Sequence, residues 1–319
     1  MDQGIEKQLS GGGQSSVPAD YFFLLRPMIL IPVWSFFLLG ASSDSESIGP
    51  EAYSIKLIAG LISFTLMTGS FYIINQVTDR GSDLENDKLF LLPRGIISVR
   101  GAVVETIILI LSSFIISALF MPLAFSIILL AGLILGAAYS IEPVRLKRRP
   151  FFDIAANAAG IGVLAPLAGG IAGGVGIPDL MKILPYPLAV ASVHLVTTLA
   201  DLEGDRRSGL RTSGAALGNN WSIIISVLLM LGALLAAFLA GNSTALYAVL
   251  LSLPFYLVLA GRDTESDSKV LLPAKAATII FAVAAGVSFR LFLPFLAVLI
   301  LVTRLYYSRR FGISYPSFR

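Results

Sequence analysis

Asn75-Gln76-Val77-Thr78-Asp79-Arg80-Gly81-Ser82-Asp83-Leu84-Glu85-Asn86-Asp87-Lys88 closes an apolar run that begins near Ile55. The stretch puts four carboxylates and two cations into a chain that is only 13% charged. Asn75, Asp79 and Asp83 are spaced four apart, so a helix continued through them carries all three on one face, one turn above another. Like charges at that spacing repel, and at a membrane boundary they are costly unless a cation sits between them. Oxygen donors without His or Cys suit a hard ion, and where a site also holds phosphate that ion is usually Mg2+. A second stretch, Asp201-Leu202-Glu203-Gly204-Asp205-Arg206-Arg207, repeats the four-residue spacing after another apolar run. Together the two hold seven of the chain's 20 acidic residues, and any chemistry is expected where they meet.

The rest of the chain is membrane-like. Hydrophobic residues make up 56% of it and the mean hydropathy is +0.83, which excludes a soluble domain of this length. Apolar runs of about 17 to 25 residues recur, long enough to cross roughly 30 Å of hydrocarbon. They predict an all-α, polytopic transmembrane bundle, since a barrel shows short alternating segments instead. Without Cys there are no disulfides and no thiolate metal sites. Residues 1–19, with Asp2, Glu6 and a glycine run at Gly11 to Gly13, read as a mobile tail rather than a signal peptide. A single membrane-embedded domain is expected over residues 20–319. A net charge of +3 gives no basic surface for nucleic acid, and membrane lipid is the expected surrounding.

Spans are predicted near Tyr21–Gly40, Ile55–Val77, Ala102–Phe120, Pro122–Tyr139, Phe151–Ala172, Ile183–Leu199, Ser222–Ala240 and Ser243–Ala260. The stretch Ala274–Tyr307 is long for one crossing and short for two, with a break expected at Arg290, so the count is nine or ten. Lys and Arg set the orientation. Arg80, Lys88, Arg94 and Arg100 follow span two; Arg145, Lys147, Arg148 and Arg149 follow span four; Arg206, Arg207 and Arg211 follow span six. The positive-inside rule places these connections, the N-terminus and the mouth of a central cavity on the cytoplasmic side of the cell membrane. Both acidic stretches then face the same side. Ten spans would also bring Arg304, Arg309, Arg310 and Arg319 inside.

Ordinary solvated loops are the bland account of one acidic stretch; two, each closing a span on the same side and each followed by cations, favour a site. Lys88, Arg94, Lys147, Arg148, Arg206 and Arg211 can donate to a diphosphate, although topology alone also places such residues there. For Arg149, Arg262 and Lys269 the topological account suffices; Lys88 and Lys147 are the ones read as functional. Tyr139, closing span four in Tyr139-Ser140-Ile141-Glu142-Pro143-Val144-Arg145-Leu146-Lys147, is either an interfacial anchor or an aromatic shield for a cation. His194, the one histidine, reads first as a hydrogen-bond partner for a neighbouring helix. Asp153 and Asn157 either cap span five or face the cavity. The glycine-rich 169–176 lacks the strand and lysine of a nucleotide loop and reads as a turn with close helix packing.

These motifs resemble the UbiA superfamily of intramembrane prenyltransferases. Asn75, Asp79 and Asp83 meet its NxxxDxxxD motif, with Lys88 following. Asp201, Glu203, Gly204, Asp205, Arg206, Gly209 and Arg211 meet its second motif. The Tyr139-Ser140 to Lys147 segment, with Arg145, and the early Arg26-Pro27 are also similar, and Leu92-Pro93 resembles the homogentisate-type branch. The resemblance implies transfer of a prenyl group from a polyprenyl diphosphate to a hydrophobic acceptor, with an aromatic acceptor of the quinone or tocopherol type first. Glycerol phosphate, a tetrapyrrole, or terpene cyclisation or elongation are its alternatives. It further implies Mg2+ on Asn75, Asp79, Asp83, Asp201 and Asp205. Asn75, Lys88, Arg94, Arg145, Lys147, Arg206 and Arg211 would stand around the diphosphate. Phe71, Tyr72 and Tyr139 would lie near the developing cation. The reading outside enzymes is a transporter with an ion site, which would set carboxylates deep within spans rather than at one edge.

Overall fold

The computed structural model describes residues 15–42, 54–85, 91–200, 202, 211–261 and 270–316, with residues 82, 84 and 85 as backbone alone. Among these, all regular structure is helical. Helix α1 (Pro18–Leu24) and α2 (Pro27–Ala41) form a first crossing bent by 51°. The bend follows from Pro27, which pushes the residue before it out of the right-handed helical region; Arg26 takes a left-handed conformation at φ 57°. Next come α3 (Ile55–Glu85), α4 (Val99–Phe120) and α5 (Leu123–Ser140). The fifth crossing is composite: α6 (Phe152–Asn157), a π-helical stretch (Ala158–Leu164) and α7 (Ala165–Ala172). It is followed by the short α8 (Leu180–Ile183), α9 (Pro185–Ala200), α10 (Ser213–Leu239) and α11 (Ser243–Ala260), then α12 (Leu272–Ser288) and α13 (Phe292–Phe311).

Two boundaries differ from the sequence reading for local reasons. Helix α3 runs eight residues past Val77 because the acidic stretch is itself helical. Helix α10 begins at Ser213 rather than Ser222 but is kinked at Gly218, whose φ of 74° and ψ of 174° a residue with a side chain would adopt only under strain. The break between α12 and α13 falls at 289–291, around Arg290.

Eight helices of the described residues are long and apolar enough to cross a bilayer, nine with the bent first pair. The chain is a multi-pass membrane protein. Helix α12, an apolar helix of 17 residues, sits at the lower limit for a crossing. Counting it gives ten. A contact at the chain's ends supports that count, since Arg310 and Tyr306 at the end of α13 bond Asp20 at the start of α1. Both ends therefore lie at one membrane face, which requires an even number of crossings.

The helices close around a centre. Helix α3 packs on α4, α5 and α7; α2 packs on α7 and α12; and α9, α10, α11 and α12 follow one another round the other half. Hydrocarbon gives no hydrophobic drive between helices, so close approach depends on small residues. The glycine-rich segment supplies them. A Cβ on Gly169 would stand 1.7 Å from the Phe37 carbonyl oxygen, and one on Gly40 2.0 Å from that of Pro166, so α2 and α7 touch backbone to backbone. Outward side chains such as Ile107, Leu111 and Ile115 on α4 stay exposed, as a lipid-facing surface does.

Candidate active site

Because α3 continues to Glu85, Asn75, Asp79 and Asp83 share one face, as the spacing predicts. The connection after α5 supplies the cations. Arg145 sits at φ 37°, the 3-10 turn Leu146–Arg148 follows, and Phe151 at φ 69° opens α6. With Arg26, these are the described non-glycine residues at positive φ, and sparsely populated backbone of this kind persists where the surroundings hold it.

The turn points Lys147 and Arg145 at α3. Lys147 Nζ donates to Asp79 Oδ2 at 2.6 Å, to Asn75 Oδ1 at 2.5 Å and to Thr78 Oγ1 at 3.2 Å. Arg145 donates to Asp79 Oδ1 at 3.0 Å and to Glu142 at 2.8 Å. The two oxygens of Asp79 are thus each held by a different cation, which offsets the repulsion along α3. Burial pushes the Lys147 ammonium below the usual lysine range, and Asp79 opposes that shift. Glu142 is held below the usual carboxylate range by its hydrogen bond from Arg145. Among the described residues, the buried Arg145 Nε has no hydrogen-bond partner.

Beside this cluster opens a cavity of about 250 Å3. Arg26, Asn75 and Tyr139 line its polar end; Phe71, Tyr72, Phe64, Met67 and Leu164 are among the aromatic and apolar residues that line the rest. The π-helical stretch contributes Gly160, Ile161 and Leu164. Phe71 lies against α5 because Gly136 has no side chain: a Cβ there would meet its ring at 2.5 Å. Asn157 also lines the cavity and donates to Tyr139 Oη at 3.2 Å. Asp153 instead ties α6 to α10 by accepting from the backbone and hydroxyl of Ser213.

Asn75, Asp79, Arg145 and Lys147 are therefore brought together, with Tyr139 at the same cavity. Asp83 stands one turn beyond Asp79, half-buried. Arg94 is half-buried in the turn after α3 and does not line the cavity, and Arg211 is exposed just before α10. Lys88, Asp201, Asp205 and Arg206 lie outside the described residues. Their flanks do not: Phe151 N, beside the Lys147 turn, donates to Ser213 Oγ, so the chain leaving the second acidic stretch meets this same end of the bundle. The sequence reading did not single out Thr78 or give Arg26 a place in the site. The signal for Arg26 was a lone arginine before a proline at the edge of an apolar run.

Among the described residues no three His, Cys, Asp or Glu side chains are grouped closely enough to hold a metal by themselves. The donor set nevertheless fits a hard ion. It is all oxygen, and Asn75 Oδ1, Thr78 Oγ1 and Asp79 Oδ2 already converge on one cation, the Lys147 ammonium.

The model of the UbiA prenyltransferase family matches residues 29–270. The chain belongs to the UbiA prenyltransferase family. It is 31% identical over 204 residues to the lycopene elongase/hydratase of Halobacterium salinarum, covering 62% of this chain and 70% of that protein. The digeranylgeranylglyceryl phosphate synthase of the same species is 28% identical over 222 residues, 67% of this chain and 75% of that one. Among solved structures, a UbiA homolog from Archaeoglobus fulgidus bound to GPP and Mg2+ superposes with a TM-score of 0.66 at 23% identity, covering 84% of this chain and 99% of that one. The fold is thus that of the UbiA homologues, and this UbiA-family chain is a prenyltransferase.

Proposed function

We propose that the enzyme transfers a prenyl group from a polyprenyl diphosphate to an aromatic acceptor, with Mg2+, at a mouth facing the cytoplasm. The observation that carries this reading is the junction of Asn75, Asp79, Arg145 and Lys147 with an apolar cavity lined by aromatic rings. Asn75, Asp79 and Asp83, with Asp201 and Asp205, would hold Mg2+. When bound, the ion neutralises diphosphate charge and eases its departure. Arg26, Arg145 and Lys147 supply further donors to phosphate oxygens. The apolar walls bind the prenyl tail by burial, at roughly 25 cal/mol per Å2 removed from water. The allylic C–O bond breaks with its electron pair on the diphosphate, the acceptor's electron pair forms the new C–C bond, and the acceptor loses a proton. Phe71, Tyr72 and Tyr139, which line the cavity, would shield the cation, and the largely apolar walls would keep water from quenching it.

The lycopene and glyceryl phosphate relatives mark the competing acceptor classes. Purified enzyme is given labelled geranylgeranyl diphosphate with aromatic, glyceryl phosphate and polyene acceptors in parallel. Prenylation of an aromatic acceptor that stops on chelation of Mg2+ is the expected result. Product with another class alone would replace the acceptor, and no Mg2+-dependent product with any would overturn the reading.

A further inference from the structure

The turn that aims Lys147 and Arg145 at Asp79 has a left-handed residue at each end, Arg145 at φ 37° and Phe151 at φ 69°. Backbone of this kind is unfavourable at each position and persists only where its surroundings hold it. At the Arg145 end the holding pair is open to water, since the Glu142 side chain is 64% exposed, and exposed pairs hold weakly. The Phe151 end is different. Its N–H donates to Ser213 Oγ at 2.7 Å, Ser213 Oγ donates to Asp153 Oδ1, and Ser213 N donates to Asp153 Oδ2 at 2.9 Å. Ile154 N also donates to Asp153 Oδ1, at 2.8 Å. Asp153 and Ser213 are both buried, at 1% and 0% exposure. A carboxylate beside the first residue of α10 is well placed, because the opening N–H groups of a helix lack partners within it and favour an anion. Capping accounts for the bond from Ser213 N. It does not account for the hydroxyl, which carries the link on to Phe151, 62 residues away.

We propose that Asp153 and Ser213 are positioning residues for the reaction: their buried link fixes the 145–151 turn and so sets where the Lys147 ammonium and the Arg145 guanidinium stand. The inference rests on the prenyl-transfer reading above, in which those cations receive the diphosphate. Neither Asp153 nor Ser213 lines the 250 Å3 cavity, so both act through the turn and not on the substrate. Hydrogen bonds to a carboxylate shielded from water are stronger than exposed ones. The turn is therefore anchored on the α6 and α10 side, and its water-exposed Arg145 end is the side that adjusts when a diphosphate replaces Asp79. Ser213 also closes the connection that carries Asp201 and Asp205. One buried link thus ties the exit of the second acidic stretch to the cations that serve the first.

The test measures affinity for geranylgeranyl diphosphate in saturating Mg2+, by thermal-shift titration of purified full-length enzyme, and needs no acceptor. Ser213→Ala removes the hydroxyl and leaves the Ser213 N–H bond to Asp153; it is expected to weaken donor binding about fivefold. Lys147→Ala is expected to weaken it about tenfold. The double variant should be no weaker than Lys147→Ala alone, within about twofold, because residues that act through one another do not add. A merely structural link would lower the Tm of the unliganded protein and leave the donor affinity of the folded protein unchanged. That result, or losses that multiply in the double variant, overturns the proposal. If Ser213→Ala does not fold, Asp153→Asn, which keeps one acceptor oxygen, is read by the same criteria. Absence of Mg2+-dependent donor binding in wild type would instead sink the prenyl-transfer reading itself.

Discussion

Asp79 and Asp20 are both carboxylates bonded to an arginine near one face of the bundle, yet they do different work. Asp20 is fully buried and saturated: Tyr306 Oη donates to it at 2.6 Å, Arg310 at 3.0 Å and Val17 N at 2.8 Å. Around it Phe23 stacks on Tyr306 with ring centroids 3.7 Å apart. This cluster fastens the last helix to the first. The Asp79 side chain keeps 24% of its surface exposed, is held by two cations from a strained turn, and adjoins the 250 Å3 cavity. An unsatisfied guanidinium nitrogen does not separate the two, since neither Arg310 Nε nor Arg145 Nε has a partner among the described residues. Accessibility and an adjoining cavity do. A sealed ion pair fixes structure, whereas an open one of similar chemistry is free to exchange its partner for a ligand.

Substitutions that hit one cluster and spare the other would break or sharpen this contrast. Asp79→Ala is expected to lower kcat by about 10³-fold or more, as losing a charge-stabilising group does, with the protein still folded in detergent. Normal turnover would erase the contrast. Lys147→Ala should cost about 10²-fold, and Lys147→Arg should recover only part of it, because a planar fork does not replace a point charge held by three oxygens. Asp20→Asn should do the reverse. Breaking a buried pair costs roughly 3 to 5 kcal/mol, and Arg310, which is 20% exposed, keeps the value near the lower end. A clear fall in Tm with kcat per folded molecule unchanged is the expected pattern, and a kcat loss without a Tm loss would make Asp20 part of the site. The smallest effect belongs to Tyr139→Phe, which removes one neutral hydrogen bond with Asn157 worth about 1 kcal/mol. A roughly fivefold loss in kcat/KM is expected while the ring face is kept.

Much of this was legible in the sequence where the information is local. The four-residue spacing of Asn75, Asp79 and Asp83 implies a shared face, and the helix does run through it. The order of apolar runs predicts the bundle, and the break near Arg290 was placed correctly. What could not be read was the partner of each charge. Nothing local says that Lys147 bonds Asp79, 68 residues away, rather than facing water. Nine against ten spans was undecided by charge alone, and the tie from Arg310 to Asp20 bears on it only in three dimensions. The Gly218 kink and the π-helical stretch were missed because apolar periodicity does not change across them. Arg26 was noted as part of an Arg-Pro pair, but its place at the cavity comes from the bend that Pro27 imposes.

The central claim is that the Asp79 cluster exchanges its internal cations for Mg2+ and a diphosphate. A thermal-shift titration of wild type and Asp79→Asn with geranylgeranyl diphosphate, with and without Mg2+, tests it most directly. The account predicts that donor and Mg2+ together raise the Tm of wild type, by an amount that grows with ligand concentration, and that Asp79→Asn loses this rise. An equal rise in the variant, or one in wild type that ignores Mg2+, would contradict it.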